Sequence, residues 1–155
     1  MTKDVLYRTT AILTGVILPI VMILFYPDMK SLSAFWETPF VSLFIIMNVV
    51  TAVFFFTLDN WRLPAILLVA VTAFPVTFFG PLHNILAIAF FVSAGYAVLM
   101  SKRFSWLSLF FVFAIILSVR SLLWAEILAI DIISFYHGLV LWKREKINKK
   151  RLDNI

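Results

Sequence analysis

The chain has 155 residues, of which 63% are hydrophobic and 14% are charged, and its mean hydropathy is +1.05. A soluble domain has about half apolar and about a quarter charged residues, so this chain lacks the polar side chains that would cover a water-soluble core. Its lack of cysteine excludes disulfides, thiol nucleophiles and thiolate metal ligands within these residues. The composition predicts a single all-α integral membrane domain.

Six apolar stretches approach the length of about 20 residues that a transmembrane helix needs. Pro39 and Pro64 fall in the first turns of the second and third stretches, where a missing N–H breaks no helical hydrogen bond. The connections are short, which makes consecutive helices antiparallel neighbours. No glycine or proline marks the break between the last two stretches, which falls within residues 118–121 (Ser-Val-Arg-Ser), but a single helix through both would be too long to cross once. The predicted six-helix transmembrane bundle has helices at 7–26, 38–57, 63–80, 82–100, 105–119 and 121–142, followed by a basic tail at 143–155.

The positions of lysine and arginine predict the orientation of the bundle. An even number of helices places both termini on one side, and cytoplasmic loops carry the excess of basic residues. With both termini in the cytoplasm, all of the 13 basic residues except Lys30 and Arg120 lie inside. We therefore expect a multi-pass protein of a bacterial cytoplasmic (inner) membrane. The tail beside the membrane favours anionic lipid headgroups over nucleic acid as its partner; its basic residues are Lys143, Arg144, Lys146, Lys149, Lys150 and Arg151.

Polar and aromatic residues gather at the opposite, outer face, in connections and first helical turns. One interpretation is a set of interfacial residues, with tryptophan anchors, a snorkelling arginine and a histidine in a turn. The other is a headgroup-sized binding site in which Glu126 pairs with Arg120 or His83. The residues of this set are Trp36, Glu37, Thr38, His83, Asn84, Arg120, Trp124 and Glu126.

The sixth helix carries ionisable groups at membrane depth, where each is costly and therefore a functional candidate. Asp131 lies near the middle of this helix, so we expect it to face the bundle interior. Its hydrogen-bond partner there would be Asn48 or Thr51, and the alternative is a proton-relay or ligand role. Glu126 and His137 share a helix face but stand about 16 Å apart, too far to share a ligand. The intramembrane polar set is Asn48, Asp131, Ser134 and His137.

The sequence contains few residues that could bind a metal ion or a phosphate-bearing cofactor. Two histidines cannot form a three-histidine zinc site, and His83 and His137 are predicted at opposite membrane faces, which disfavours haem ligation by one subunit. Four glycines leave no glycine-rich phosphate loop, and no spacing indicates a nucleophile elbow. We therefore predict no metal site and no cofactor.

Three segments resemble those of a family of small bacterial six-helix membrane proteins. Residues 31–38 (Ser-Leu-Ser-Ala-Phe-Trp-Glu-Thr) are similar to that family's Ser-x-Ser-x-Tyr-Tyr-x-Thr segment at the start of helix two. Residues 82–91 are similar to its histidine followed by an Ala/Phe-rich helix four. Residues 124–145 are similar to its acidic residue in the last helix and its Trp-Leu-x-Lys-Gly-Glu ending. The resemblance covers most of the chain and implies a six-helix bundle.

The resemblance carries no established activity. Phe35 and Trp36 replace the tyrosine pair of the family's first segment, and Arg144 replaces the glycine of its last segment. More distantly, the chain resembles the six-helix autophagy-modulator type and the seven-helix membrane hydrolases that include alkaline ceramidases. The zinc histidines of those hydrolases are missing here, so their activity should not transfer.

Three hypotheses for function remain open. The leading one is a lipid-interacting or accessory membrane subunit, because the chain is compact and has a basic inner rim. The second is a metal-independent membrane enzyme acting on lipid headgroups at the outer face, with His83 and Glu126 as acid and base and Ser33 as the hydroxyl. It requires the three side chains to converge within hydrogen-bond reach. The third is a small proton-coupled carrier, which requires Asp131 to face a wet cavity. The protein partners left open are a second copy of the chain and another membrane subunit.

Overall fold

The structure, a computed structural model, describes residues 3–152, which form six α-helices, two 3₁₀ helices and no β-strand. Residues 153–155 of the predicted tail and the side chains of Lys150 and Arg151 lie outside this description. The α-helices are α1 (Lys3–Phe25), α2 (Val41–Phe56), α3 (Arg62–Ala73), α4 (Val76–Leu99), α5 (Ser108–Ser118) and α6 (Leu122–Leu152). The 3₁₀ helices are Leu32–Glu37 and Ser105–Leu107.

Three of these helices are long and apolar enough to cross a membrane, by length and composition. They are α1, α4 and the Leu122–Lys149 part of α6. The other three are apolar but shorter, with 16 residues in α2, 12 in α3 and 11 in α5. The outside of the bundle exposes large aliphatic and aromatic side chains along every helix, which a soluble monomer does not do. The length of these three helices and the apolar outer surface of the bundle together indicate an association with a membrane.

The predicted boundary between the third and fourth helices, at residues 80–82, is wrong. The chain leaves the helix at Phe74, and Pro75 precedes the first turn of α4. Proline disfavours a helical conformation in the residue before it and has no N–H for the preceding turn, so it ends α3 instead of kinking it. Pro81 lies inside α4, after a non-helical residue at Phe79 that marks a kink.

Two further boundaries differ from the predictions. The second helix does not begin at Thr38, because residues 32–37 form a 3₁₀ helix and α2 follows only at Val41. The sixth helix does not end at Trp142 but continues to Leu152. Lysine, arginine and glutamate are good helix formers, so the basic tail extends α6 beyond the apolar part.

Consecutive helices pack against each other, and α6 also packs against α1, which brings the first and last helices together. The connections therefore alternate between two ends of the bundle. One end, here called the Glu126 end, contains residues 26–40, the 74–79 break and the α5–α6 connection. The other, here called the basic end, contains the start of α1, the connections 57–61 and 100–107, and the last turns of α6.

The close contact of α1 with α6 depends on Gly15. A Cβ atom added to Gly15 would overlap the Ser134 hydroxyl and lie 3.0 Å from Ile130 Cγ2. With glycine there, α1 lies against the face of α6 that carries Ile130, Ile133, Ser134 and His137. This contact fixes the rotation of α6 and determines which of its polar residues point inward.

Candidate functional site

Ser33, His83 and Glu126 meet in a buried hydrogen-bonded series at the Glu126 end. Ser33 Oγ lies 2.8 Å from His83 Nε2 and 3.3 Å from Glu126 Oε1. The backbone N–H of Leu32 donates to Glu126 Oε2 at 2.6 Å, and His83 Nδ1 donates to the carbonyl of Phe74 at 2.7 Å. Ser33, His83 and Glu126 are 7%, 1% and 5% exposed, so the series lies inside the protein. We call it the Ser33 chain.

Each end of the Ser33 chain is anchored by a backbone group that the local structure leaves unpaired. Pro75 ends α3, and the amides of Phe78 and Phe79 bond the Pro75 carbonyl instead of that of Phe74. The Phe74 carbonyl is therefore free to accept from His83. At the other end, the first residue of the 3₁₀ helix, Leu32, has no intrahelical partner for its N–H, and Glu126 provides one.

The donors and acceptors of the Ser33 chain show where its protons can reside. A carbonyl only accepts, so the Phe74 contact places a proton on His83 Nδ1 and leaves Nε2 of the neutral ring as an acceptor. Ser33 has a single hydroxyl proton and faces both Nε2 and Glu126 Oε1. Its one proton can serve only one of these two contacts, so the other needs a second proton. That proton resides either on the Glu126 carboxyl or on His83 Nε2, and in both cases it is donated to Ser33 Oγ. Moving that proton through the Ser33 hydroxyl interconverts the two forms.

This order of groups differs from that of a serine hydrolase, in which the acid bonds the imidazole and the imidazole bonds the serine. Here Ser33 lies between the imidazole and the acid, and a backbone carbonyl orients His83. The surrounding side chains are apolar: Leu32, Phe35, Phe44, Leu123 and Ile127. The arrangement is suited to proton transfer and general acid–base chemistry within a dry environment.

The remaining residues predicted at the outer face do not join this series. Arg120 is exposed and forms no ion pair with Glu126, so the predicted pairing of these two residues is wrong. Glu126 approaches His83 only through Ser33. Asn84 and Trp124 are also exposed and are not part of the buried Ser33 chain. Glu126 lies buried whereas Arg120 precedes α6 and stays on the surface, so the two cannot meet.

Of the other three residues of that set, Thr38 is buried and its hydroxyl donates to the Phe35 carbonyl at 2.9 Å, at the end of the 3₁₀ helix. Glu37 and Trp36 lie at the rim of the Ser33 chain. Glu37 is exposed and accepts a hydrogen bond from the Thr77 hydroxyl at 3.0 Å, which joins the 3₁₀ helix to the start of α4. Trp36 is half-buried, and within residues 3–152 its indole Nε1 has no hydrogen-bond partner. The set predicted as one pocket is therefore split between a buried core and a separate surface.

The expectation that Asp131 faces the bundle interior is wrong. Asp131 is exposed on α6, and no hydrogen bond or ion pair joins it to another residue of the described chain. At 100° per residue, it points about 110° away from the centre of the inward face that α1 covers. The hydroxyl of Thr51, one of its two expected partners, donates to Thr14 Oγ1 at 2.7 Å. Asn48, the other, lines a cavity of about 60 Å³ with the buried Ser134.

His137 lies at the basic end in a polar network that the sequence did not reveal. Arg8 Nη1 lies 2.9 Å from His137 Nδ1, and because arginine only donates, the histidine proton resides on Nε2. The imidazole is fully buried between Phe55 and Trp61, whose ring centroids lie 5.3 Å and 4.6 Å away. Arg8 also pairs with Asp4, at 3.1 Å.

The basic end also contains an open cleft of about 310 Å³ between the α4–α5 connection and α6. Four cationic side chains line it, from Lys102, Arg103, Lys143 and Arg144, and its remaining walls include Phe104, Val140 and Ile147. Asp4 accepts a hydrogen bond from Arg144 Nη1 at 2.6 Å, which ties α1 to the cleft. The charge distribution predicted that these cations share one side of the membrane, but not that two segments assemble them into a cleft.

Substitution of Glu126 tests whether the Ser33 chain holds the 3₁₀ helix against α6. Glu126→Gln retains an acceptor for the Leu32 N–H and a donor for Ser33, so we expect the free energy of unfolding to change by less than about 1 kcal/mol. Glu126→Leu leaves these buried groups unpaired and should lower it by about 1–3 kcal/mol. The measurement is equilibrium unfolding in detergent micelles, with the exposed Glu37→Gln as the matched control. Equal stability of the Gln and Leu variants would contradict the structural role.

Comparison with known proteins adds no constraint to this geometry. No family model, no curated protein and no solved structure matches the chain.

Proposed function

We propose that this chain is a multi-pass protein of a bacterial cytoplasmic membrane that binds anionic lipid headgroups at its basic end. In this proposal all six helices span, both termini are cytoplasmic, and the basic end faces the cytoplasm. The cationic cleft between the α4–α5 connection and α6 carries the proposal. The three long apolar helices and the apolar outer surface support the membrane location. The concentration of basic residues at one end supports the orientation.

Two of the three shorter helices, α2 and α5, are preceded by further helical structure, which supports six spans. The 3₁₀ helix Leu32–Glu37 precedes α2, and the 3₁₀ helix Ser105–Leu107 precedes α5. A break in a membrane helix is tolerated where protein groups satisfy its backbone. The break between α3 and α4 meets this condition, because His83 bonds the Phe74 carbonyl.

Reporter fusions test the topology. Fusions after residues 60, 102 and 155 should be active only with a cytoplasmic reporter, and fusions after residues 30 and 119 only with a periplasmic reporter. The reason is that these sites alternate between the basic end and the Glu126 end. A periplasmic signal from residue 155 would exclude the orientation, and identical signals from residues 60 and 119 would exclude six spans.

The cleft has the size and the chemistry of a headgroup site. Small-molecule sites have volumes of about 300–1,000 Å³, and the cleft lies at the lower limit of that range. Its cations suit a phosphate, and the apolar side chains of Phe104, Val140 and Ile147 suit the adjoining glycerol and acyl carbons. Basic residues beside an anionic membrane surface contribute about 1 kcal/mol each.

Charge removal at the cleft tests this site. We expect the double substitution Lys102→Gln/Arg103→Gln to weaken binding of dihexanoyl phosphatidylglycerol by about 30-fold, since two basic residues contribute about 2 kcal/mol. Binding is measured by calorimetry on the detergent-solubilised chain, with dihexanoyl phosphatidylcholine as the zwitterionic comparison. The matched control is Lys30→Gln/Arg120→Gln, which removes two exposed charges at the opposite end. An equal loss in both variants, or no loss in the first, would exclude the cleft as the site.

A second candidate function is a metal-independent enzyme acting on lipid headgroups at the outer face. The observation that favours it is the convergence of Ser33, His83 and Glu126 within hydrogen-bond reach. In this candidate His83 and Glu126 exchange the proton that Ser33 conducts between them. All three are buried, so a substrate reaches them only when the 3₁₀ helix separates from α6. The carrier hypothesis has no comparable support, because Asp131 does not line the small, mostly apolar cavity inside the bundle that Asn48 and Ser134 line.

Lipid turnover tests the enzymatic candidate. The chain is reconstituted in vesicles of a total bacterial lipid extract, and lost or new lipid species are followed by mass spectrometry. General acid–base groups contribute about 10²- to 10⁴-fold, so His83→Gln should reduce turnover by at least about 100-fold. The neighbouring exposed Asn84→Gln should leave it unchanged. Absence of turnover by the unsubstituted chain, or full turnover by His83→Gln, would exclude this candidate.

A further inference from the structure

A small cavity inside the bundle joins polar side chains from three helices. Its volume is about 60 Å³. All of its polar members come from α1, α2 and α6, whereas α3 and α4 contribute only apolar ones. The polar members are Thr14, Asn48, Thr51 and Ser134, and the apolar walls include Phe55 and Phe90. We call it the Ser134 cavity.

The Ser134 hydroxyl lies at this cavity without a partner from the chain. Ser134 is 6% exposed, and no group within residues 3–152 forms a hydrogen bond with its Oγ. Gly15, which also lines the cavity, brings α1 so close that a Cβ atom there would overlap this oxygen. Close packing therefore holds the hydroxyl in place but gives it no donor or acceptor. A buried hydroxyl that stays unpaired destabilises a fold, so a partner from outside the chain is expected.

The two threonines of the cavity have already used their hydroxyl protons. Thr14 Oγ1 donates to the carbonyl of Thr10, and Thr51 Oγ1 donates to Thr14 Oγ1 at 2.7 Å. A hydroxyl has one proton and two lone pairs, so the Thr51 oxygen can only accept a further hydrogen bond. Ser134, in contrast, can donate one or accept one. The cavity therefore suits a ligand that both donates and accepts hydrogen bonds.

We propose that the Ser134 cavity is a binding site for water that joins α1, α2 and α6 inside the bundle. A bound water donates to Thr51 Oγ1 and accepts from Ser134 Oγ, and the Asn48 amide supplies a further donor and acceptor. Buried water typically makes about three hydrogen bonds, which this set of groups provides. The site is separate from the cationic cleft at the basic end, so it does not depend on headgroup binding there.

The size and the neutral walls of the cavity favour water over larger or charged occupants. One water needs about 10–15 Å³ of such volume, whereas small-molecule sites have about 300 Å³ or more, so a volume of about 60 Å³ admits only water-sized ligands. Among the described residues that line it there is no carboxylate, and Asp131 is exposed on another face of α6. A cation would therefore lack a counter-charge beside apolar walls, where burial of a charge is costly.

Radiolytic footprinting tests whether the cavity holds water. Synchrotron X-rays convert bound water into hydroxyl radicals, which oxidise the side chains beside it. Phe90 lines the cavity and should be oxidised, whereas Phe111, the matched control, does not line it and is buried to the same degree, at 7% exposed against 6%. The detergent-solubilised chain is irradiated, and oxidised residues are located by tandem mass spectrometry. Faster oxidation of Phe90 than of Phe111 supports the site, and equal oxidation of the two overturns it.

Substitution of Ser134 distinguishes a hydrated hydroxyl from a dry one. Ser134→Ala removes a hydrogen bond to water, so the ratio of folded to unfolded chain in detergent micelles should fall about 2- to 10-fold. Removal of a dry, unpaired hydroxyl would instead leave this ratio unchanged or raise it, which would overturn the proposal.

The matched control is Ser93→Ala. The buried Ser93 hydroxyl donates to the Phe90 carbonyl of its own helix at 2.8 Å and does not line the cavity, so its removal should leave the ratio nearly unchanged. An equal fall in both variants would contradict a role for water at Ser134. Unfolding of the unsubstituted chain is also measured in sodium chloride and in choline chloride at equal concentration. Equal stability in the two salts supports water, and a gain specific to sodium would overturn it in favour of a cation.

Discussion

A backbone carbonyl released by a proline is the constraint on which the Glu126 end of the molecule depends. Pro75 ends α3 and leaves the Phe74 carbonyl without a helical donor, and His83 satisfies it from the following helix. The same imidazole, oriented by that bond, presents Nε2 to Ser33, and Ser33 reaches Glu126. One broken helical turn thereby ties α3, α4, the 3₁₀ helix and α6 together, because buried polar groups need partners.

A second contact, between α1 and α6, sets the distribution of the remaining polar groups. Gly15 lets α1 approach Ser134, and this fixes which face of α6 is covered. His137 is consequently buried beside Arg8, while Asp131 is left outside. The exposed carboxyl is therefore a consequence of close packing elsewhere on the same helix.

The two ends of the bundle differ in the kind of chemistry that their residues allow. The Glu126 end holds a dry, hydrogen-bonded series that can carry a proton but is closed to a ligand in this conformation. The basic end is open, and its cleft joins cations from two distant segments of the chain. This contrast supports the proposal that headgroups bind at the basic end, whereas the proposed acid–base chemistry at the Glu126 end requires the 3₁₀ helix to move.

Composition and hydropathy alone determined that the chain is helical and suited to a membrane, and antiparallel connections placed Ser33, His83 and Glu126 at one end. The structure shows that these three residues are in contact. Only the structure shows the order of the contacts, in which Glu126 pairs with Ser33 and not with Arg120. It also decided where α3 ends and where Asp131 points. Helices that are apolar on every side have no hydrophobic periodicity to distinguish their buried face from their lipid-facing one. Only side-chain packing, such as that of Gly15 on Ser134, separates the two faces.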